Sequence, residues 1–392
     1  MDWRRRVTIG FGCLVVIGIM TWAGPPPQDA DLMPSVVPVP DEQNAYPLVL
    51  QIAAAYPLSS KERYILGQQF DGNISSATVV AGLIARSGGT LKLFAELSRR
   101  TAYQDPHYLD LANVGPQTPV PPLYAVVRAA TLVALRSDAL LKQGRATEAL
   151  AGYLQIVDVG RMFARGPQLL SSGCGMLLMD RGASRALQAV KSGRLDQAKL
   201  LNAAARLSAP SNAAAGLQEG FRYVYVEHAY ISDHAVDSIG KGKDPKGLFV
   251  RAEKYLAKRG LYSLKTYNGA LFRKLIADSV KPCLHGLPPS HELLPIGFRP
   301  YAAGRILYNI ALPQYEKFCV RRCEVDSHLT AAAVATAAQA YRRDNGRFPT
   351  GLGELTPVYL PVAPVDPYTG VTPHYSANTG EILSDWKGAD AQ

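Results

Sequence analysis

Between residues 46 and 343 the apolar side chains recur at helical spacing, and the interruptions of that rhythm fall on glycine or proline. The spacing predicts helices over 46–55, 74–86, 90–100, 123–143, 146–163, 169–191, 195–207, 212–239, 247–259, 263–280 and 301–343. Stops are expected at Gly88-Gly89, Gly144, Gly166-Pro167, Gly193, Pro210, Gly240 and Gly260. No alternating pattern of the kind a half-buried strand needs occurs before residue 371, so the body is expected to be all-α. With 392 residues, 47% hydrophobic and 19% charged, the chain can bury a sizeable core; a disordered tail, a collagen and a polytopic transporter are excluded.

The N-terminus sets the expected compartment. Arg4, Arg5 and Arg6 precede an uncharged, mostly apolar run from Val7 to Ala23, and Pro25-Pro26-Pro27 follows it. At about 17 residues the run is at the short limit of a membrane span and slightly long for the core of a cleaved signal. Arginines on one side only place the N-terminus in the cytoplasm and the remainder outside. A retained single-pass anchor is preferred, because Trp22 and Gly24-Pro25 make a poor cleavage site after Ala23; with cleavage the chain would be secreted. Residues 25–45 carry six prolines and read as an extended stalk or a strap along the folded body. The expected organisation is an anchor at 1–24, the stalk at 25–45, a helical-hairpin body at 46–324 and a small module at 325–392.

In an oxidising compartment thiols pair. Cys319 and Cys323 stand four apart on a predicted helix, which holds their Cβ atoms about 6 Å apart, too far for a relaxed disulfide. Cys283 with Cys319 or with Cys323 is the better pairing. A metal site from Cys283, His285, Cys319 and Cys323 has no recognised zinc spacing, and no cofactor is expected.

The formal net charge of +10 is concentrated. From Lys241 to Lys281 eleven basic residues stand against three acids, an excess equal to that of everything after residue 24. Lys241, Lys243, Lys246, Arg251, Lys254, Lys258, Arg259, Lys265, Arg273 and Lys274 form a candidate anion-binding tract, interleaved with Tyr255, Tyr262, Tyr267 and Phe272. Outside a cell the anions in reach are lipid head groups, wall polymers or an acidic protein, so no nucleic acid partner is expected. A solvated helix face with its aromatics packed inward explains the same pattern.

Two segments share a local motif: Gly144-Arg145 with Ala149 and Tyr153, and Gly193-Arg194 with Ala198 and Asn202. Each reads as a helical hairpin, with Gly as the left-handed cap and Ala opening the contact face of the next helix. Each resembles the middle of a tetratricopeptide repeat, strongest at Gly144, Ala149 and Tyr153. Their 49-residue offset, against a repeat of 34, implies stacked hairpins of irregular length.

At the C-terminus stand Ala340-Tyr341, Asp344-Asn345-Gly346-Arg347-Phe348-Pro349, Leu352, Glu354-Leu355, Tyr359-Leu360-Pro361, Pro364, Asp366-Pro367-Tyr368, Gly370 and Tyr375. This string resembles the head module of major pseudopilins of type II secretion, as found on bacterial envelope proteins. The resemblance implies a helix laid on a small antiparallel hairpin. From the residues themselves, Asn345-Gly346 is a left-handed cap, Leu352, Leu355, Tyr359 and Leu360 bury one face, and Asn378-Thr379-Gly380 turns the hairpin. The pseudopilin start differs, since the fifth position from Phe11 is Val15 rather than Glu. The family's calcium loop leaves only Asp385 and Asp390, with Ser384, as candidate ligands.

No Gly-x-Ser-x-Gly, Walker loop or Cys-x-x-Cys motif is present. Tyr223, Glu227, Tyr230, His234 and Asp237 share one helix face, where Glu227 and His234 form a candidate acid–base pair; a wet helix surface explains the spacing equally well. His228, on the adjacent apolar stripe, reads as a core histidine. The chain is therefore expected to be mainly α, with an N-terminal anchor, irregular hairpins and a small α+β module. It is read as a bacterial inner-membrane protein whose bulk, outside the cytoplasm, binds or scaffolds a protein or an anionic envelope polymer or lipid. A broad groove between hairpins and no cluster of buried ionisable groups are expected with it. The alternatives are a wall-polymer hydrolase using Glu227 and His234, and an accessory component of a pseudopilus.

Overall fold

The computed structural model describes residues 29–35, 37–55, 77–111, 114, 118–238, 269–283 and 302–382, with backbone alone for 77, 231–238 and 302–313. The leader (1–24), the helix expected at 247–259 and the end of the chain after 382 lie outside these residues. Among the described residues no helix is long and apolar enough to cross a membrane.

The chain is mainly helical. In order come α1 (Tyr46–Ala54), α2 (Ala77–Arg86), α3 (Gly88–Leu97), α4 (Leu123–Lys142), α5 (Ala146–Ala164), α6 (Leu169–Lys191), α7 (Gln197–Ser208) and α8 (Ala213–Ser238). Then follow α9 (described over 269–278), α10 (Ala302–Asn345) and the strands β1 (Tyr375–Ser376) and β2 (Glu381–Ile382). The strands pair antiparallel, with Tyr375 opposite Ile382.

α5 and α6 form the centre. One side of the pair, through Ile156, Phe163, Cys174 and Leu178, meets α1, α3 and α4. The other, through Tyr153, Val157, Met179 and Ala183, meets α7, α8, α9 and α10. The two helices approach backbone to backbone because glycines line their seam. A Cβ added at Gly175 would collide with the Ala164 amide and the Gly160 carbonyl, and one at Gly160 would stand 2.8 Å from the Gly175 carbonyl oxygen. Ser172-Gly173-Cys174-Gly175 belongs to this seam: Ser172 is buried and donates to the Ala164 carbonyl at 3.2 Å.

Gly144 (φ 82°) and Gly193 (φ 69°) take the left-handed caps that the hairpin motif requires. Ala149 is fully buried, whereas Ala198 faces solvent and α7 buries Leu200, Ala203, Ala204 and Leu207 instead. The two hairpins thus share a cap and not a contact face. The stop expected at Gly88-Gly89 falls one residue earlier, at Ser87. α2 ends at Ser87, whose N–H reaches the carbonyls of Leu83 and Ile84, and the two glycines form the first turn of α3. Glycine is tolerated there because a helix N-terminus makes few intrahelical bonds.

The described part of the proline-rich segment, 29–35 and 37–45, is a strap. Leu32 is buried in the main core, Val39 N–H donates to Gln104 Oε1 at 2.8 Å, and Gln104 Nε2 returns to the Val37 carbonyl at 2.9 Å. At the other end α10, 44 residues long, runs straight through the expected 324/325 boundary. Leu352, Leu355 and Leu360 join the same core as Leu200 and Val334, so the C-terminal module and the body share one hydrophobic interior.

Candidate functional site

Glu227 sits half-buried on α8, accepting a 3.4 Å hydrogen bond from the Tyr108 hydroxyl. Tyr223 donates to the Tyr108 carbonyl at 3.0 Å, and the two rings meet edge-on. Burial raises the Glu227 carboxyl above its ordinary range, against the opposing pull of the Tyr108 bond. The side chain of His234, its expected partner, lies outside the described residues, as do Asp385 and Asp390. His228 stands among aromatic rings as its stripe predicted, with Nε2 3.1 Å from the Tyr315 hydroxyl and its ring 5.4 Å from that of Phe272.

Of the basic tract, Lys241, Lys243, Lys246, Arg251, Lys254, Lys258, Arg259 and Lys265 lie outside the described residues. Arg273 and Lys274 are engaged within the fold. Arg273 clamps Asp29 at 2.8 Å and Asp31 at 2.7 Å, tying the strap to α9, and Tyr225 also donates to Asp29. The Arg273 hydrogen bond holds the Asp31 carboxyl below its usual range. Lys274 and Lys281 both pair with the buried Asp278, at 2.7 and 3.0 Å.

Cys283 is joined to Cys323, with Cα atoms 6.3 Å apart, and Tyr368 of the C-terminal module packs against the bridge. Cys319 and Cys174 are buried free thiols, each pushed up to about 12 by burial. With Cys283 and Cys323 bonded to each other, the four-ligand set drawn around Cys283 and His285 has lost two of its three sulfur ligands. Among the described residues no three His, Cys, Asp or Glu side chains are placed to hold a metal ion.

Three arrangements had no local signal. Asp180 on α6 accepts from His328 Nδ1 at 2.6 Å and from Arg321 at 2.5 Å, both on α10. Contrary to the expectation of no clustered buried charge, Arg161 is buried between Asp158 (3.3 Å) and the carbonyls of Leu207 and Ala209 (3.1 Å each). The third is a half-open groove of about 280 Å³ on the outer face of the α4/α5 hairpin, with α3 as one wall. Its lining includes Leu91, Val133, Arg136, Ser137, Leu140 and Gln155.

No known protein family, curated protein or solved structure matches the chain. What the surfaces can do is therefore argued from their own chemistry. The groove combines aliphatic walls with a few convergent polar groups, the composition of a binding site. The Glu227 carboxyl, raised by burial, is held by the Tyr108 hydroxyl.

Proposed function

We propose that this is a membrane-anchored binding or scaffolding protein working outside the cytoplasm, with the α4/α5 groove as its contact surface. The groove carries the reading: a half-open recess on the α4/α5 hairpin, walled in part by α3, sets polar side chains among aliphatic ones as a contact surface does. The Cys283–Cys323 bridge supports the compartment, since disulfides persist where thiols are not kept reduced. The Arg4-Arg5-Arg6 run ahead of an apolar segment supports the orientation. On this reading the C-terminal module is a structural end of the body, tied to it by the bridge and the shared core.

A photo-crosslinking amino acid placed at Ala151, which is exposed and lines the groove, tests it in the full chain in native membranes. The expected outcome is a discrete adduct at 151 that is absent when the probe replaces Leu170, an exposed residue on α6. Equal labelling from both positions overturns the assignment. Alkylation of intact cells before lysis checks the compartment: Cys283 and Cys323 should resist modification until a reductant is added.

A further inference from the structure

We infer that the groove takes the carboxylate end of an aliphatic chain, held on Arg136 and Ser137 with its tail along Leu91, Ala95 and Val133. The inference rests on the binding reading above and names the ligand class for that site. Arg136 is exposed on α4 and, among the described residues, makes no hydrogen bond or ion pair. The other charge at the rim is already matched: Arg145 grips Glu148 through two 2.5 Å hydrogen bonds, one to each carboxylate oxygen. Glu148 also feels the Arg136 charge without bonding to it, so two arginines stand against one carboxylate and leave a net positive rim that an anion can match.

The Ser137 hydroxyl supplies the second contact. Ser137 is 2% exposed, lines the groove, and has no hydrogen-bond partner among the described residues. Its Oγ stands so close to Gly152 that any side chain at 152 would displace it, and the Gln155 amide lies one turn further along α5. A carboxylate accepting from the guanidinium and the hydroxyl would gain charge-assisted bonds, the stronger class. The remaining wall, Leu91, Ala95 and Val133, offers no polar side chain to match the repeating amides of a peptide. That favours a hydrocarbon tail. At about 280 Å³ the groove falls below the roughly 300–1,000 Å³ of sites that enclose drug-sized ligands, so it admits one end of a chain rather than a bulky molecule.

The test follows maleimide labelling of Ala151→Cys in the full chain, read by mass spectrometry on the peptide that carries it. Sodium hexanoate is expected to slow labelling at least fivefold at saturation, while hexanol and hexylamine leave it unchanged. Arg136→Gln should raise the half-protecting hexanoate concentration at least tenfold, and Arg136→Lys should raise it less. Hexanol protecting as well as hexanoate, or Arg136→Gln without effect, overturns the carboxylate. Acetyl-dileucine with a free carboxylate, protecting at lower concentration than hexanoate, would assign the groove to a polypeptide C-terminus and overturn the hydrocarbon tail. If hexanoate gives no protection while the crosslink at 151 still forms, the ligand class falls and the binding reading stands. Loss of both removes the site.

Discussion

The seam between α5 and α6 and the clasp that holds the N-terminal strap are both close contacts, made by opposite means. At the seam Gly160, Gly175 and Gly182 remove side chains so that two backbones touch, with no charge involved. At the clasp Asp29, Asp31 and Arg273 hold an extended segment to α9 through ion pairs whose arginine is 40% exposed. A seam of this sort is insensitive to salt and pH and intolerant of a single carbon. A clasp of this sort yields locally, and to solvent conditions. The molecule thus has a rigid centre and an electrostatically secured margin.

Gly175→Ala breaks the seam. The added methyl meets backbone atoms of Ala164 and Gly160, which have no rotamer with which to move aside. Overpacking of this kind costs about 3 kcal/mol. Chemical denaturation should show that loss unchanged between low and high salt.

Arg273→Ala sharpens the contrast. It leaves Asp29, whose side chain is 9% exposed, with the Tyr225 hydroxyl but without its cation, and losing a hydrogen bond between charged groups costs about 1–2 kcal/mol. The loss should be local: hydrogen exchange should rise across residues 29–35 and leave α5 and α6 protected. High salt should weaken the wild-type clasp in the same direction. Equal exposure of α5 would show that the strap is part of the central cooperative unit.

A third tie joins α6 to α10 and titrates in two directions. The Asp180 hydrogen bond raises the His328 ring above its ordinary value, so its contribution is complete below about 6.5 and lost as pH rises through the raised value. For Asp180, burial opposes ionisation, but the bond from His328 and the charge of Arg321 outweigh it and lower its carboxyl. Its contribution is complete above about 3.8 and lost as pH falls through the lowered value. Stability from this tie peaks between those limits. Because the His328 side chain is 58% exposed, the alkaline loss should stay below about 1 kcal/mol, and His328→Gln should flatten that limb of the stability profile.

What was legible in the sequence was local. α6 runs from Leu169 to Lys191, the span its periodicity predicts, and Gly144, Gly193 and Gly346 cap helices because only a residue without Cβ takes positive φ cheaply. The burial of Leu352, Leu355 and Leu360 follows from their spacing alone. Cys319 and Cys323 are unpaired with each other because a helix holds neighbours four apart too widely. What stayed hidden needed the tertiary fold. Asp180 and His328 are 148 positions apart, and nothing near either marks a partner. The groove has walls from three helices and no motif of its own. Arg273 counted as surplus charge on paper because its acids come from the far end of the chain.

The smallest expected effect lies in the C-terminal module and is spectroscopic. Glu354 accepts from the Thr350 N–H at 2.6 Å, from the Thr350 and Tyr341 hydroxyls, and from Arg347 at 3.1 Å. The Thr350 bonds first, then the one from Tyr341, pull its carboxyl down to about 2. Stability from this hub is therefore complete above about 4.5 and lost as pH falls through about 2, far below the alkaline limb of the His328 tie. A ¹³C titration should find the Glu354 carboxyl still ionised at pH 3, and Tyr341→Phe should move its midpoint upward while leaving the melting temperature at pH 7 nearly unchanged. A midpoint near 4.5 in the native protein would mean that the hub is open in solution, placing this module with the yielding margin of the molecule rather than with its core.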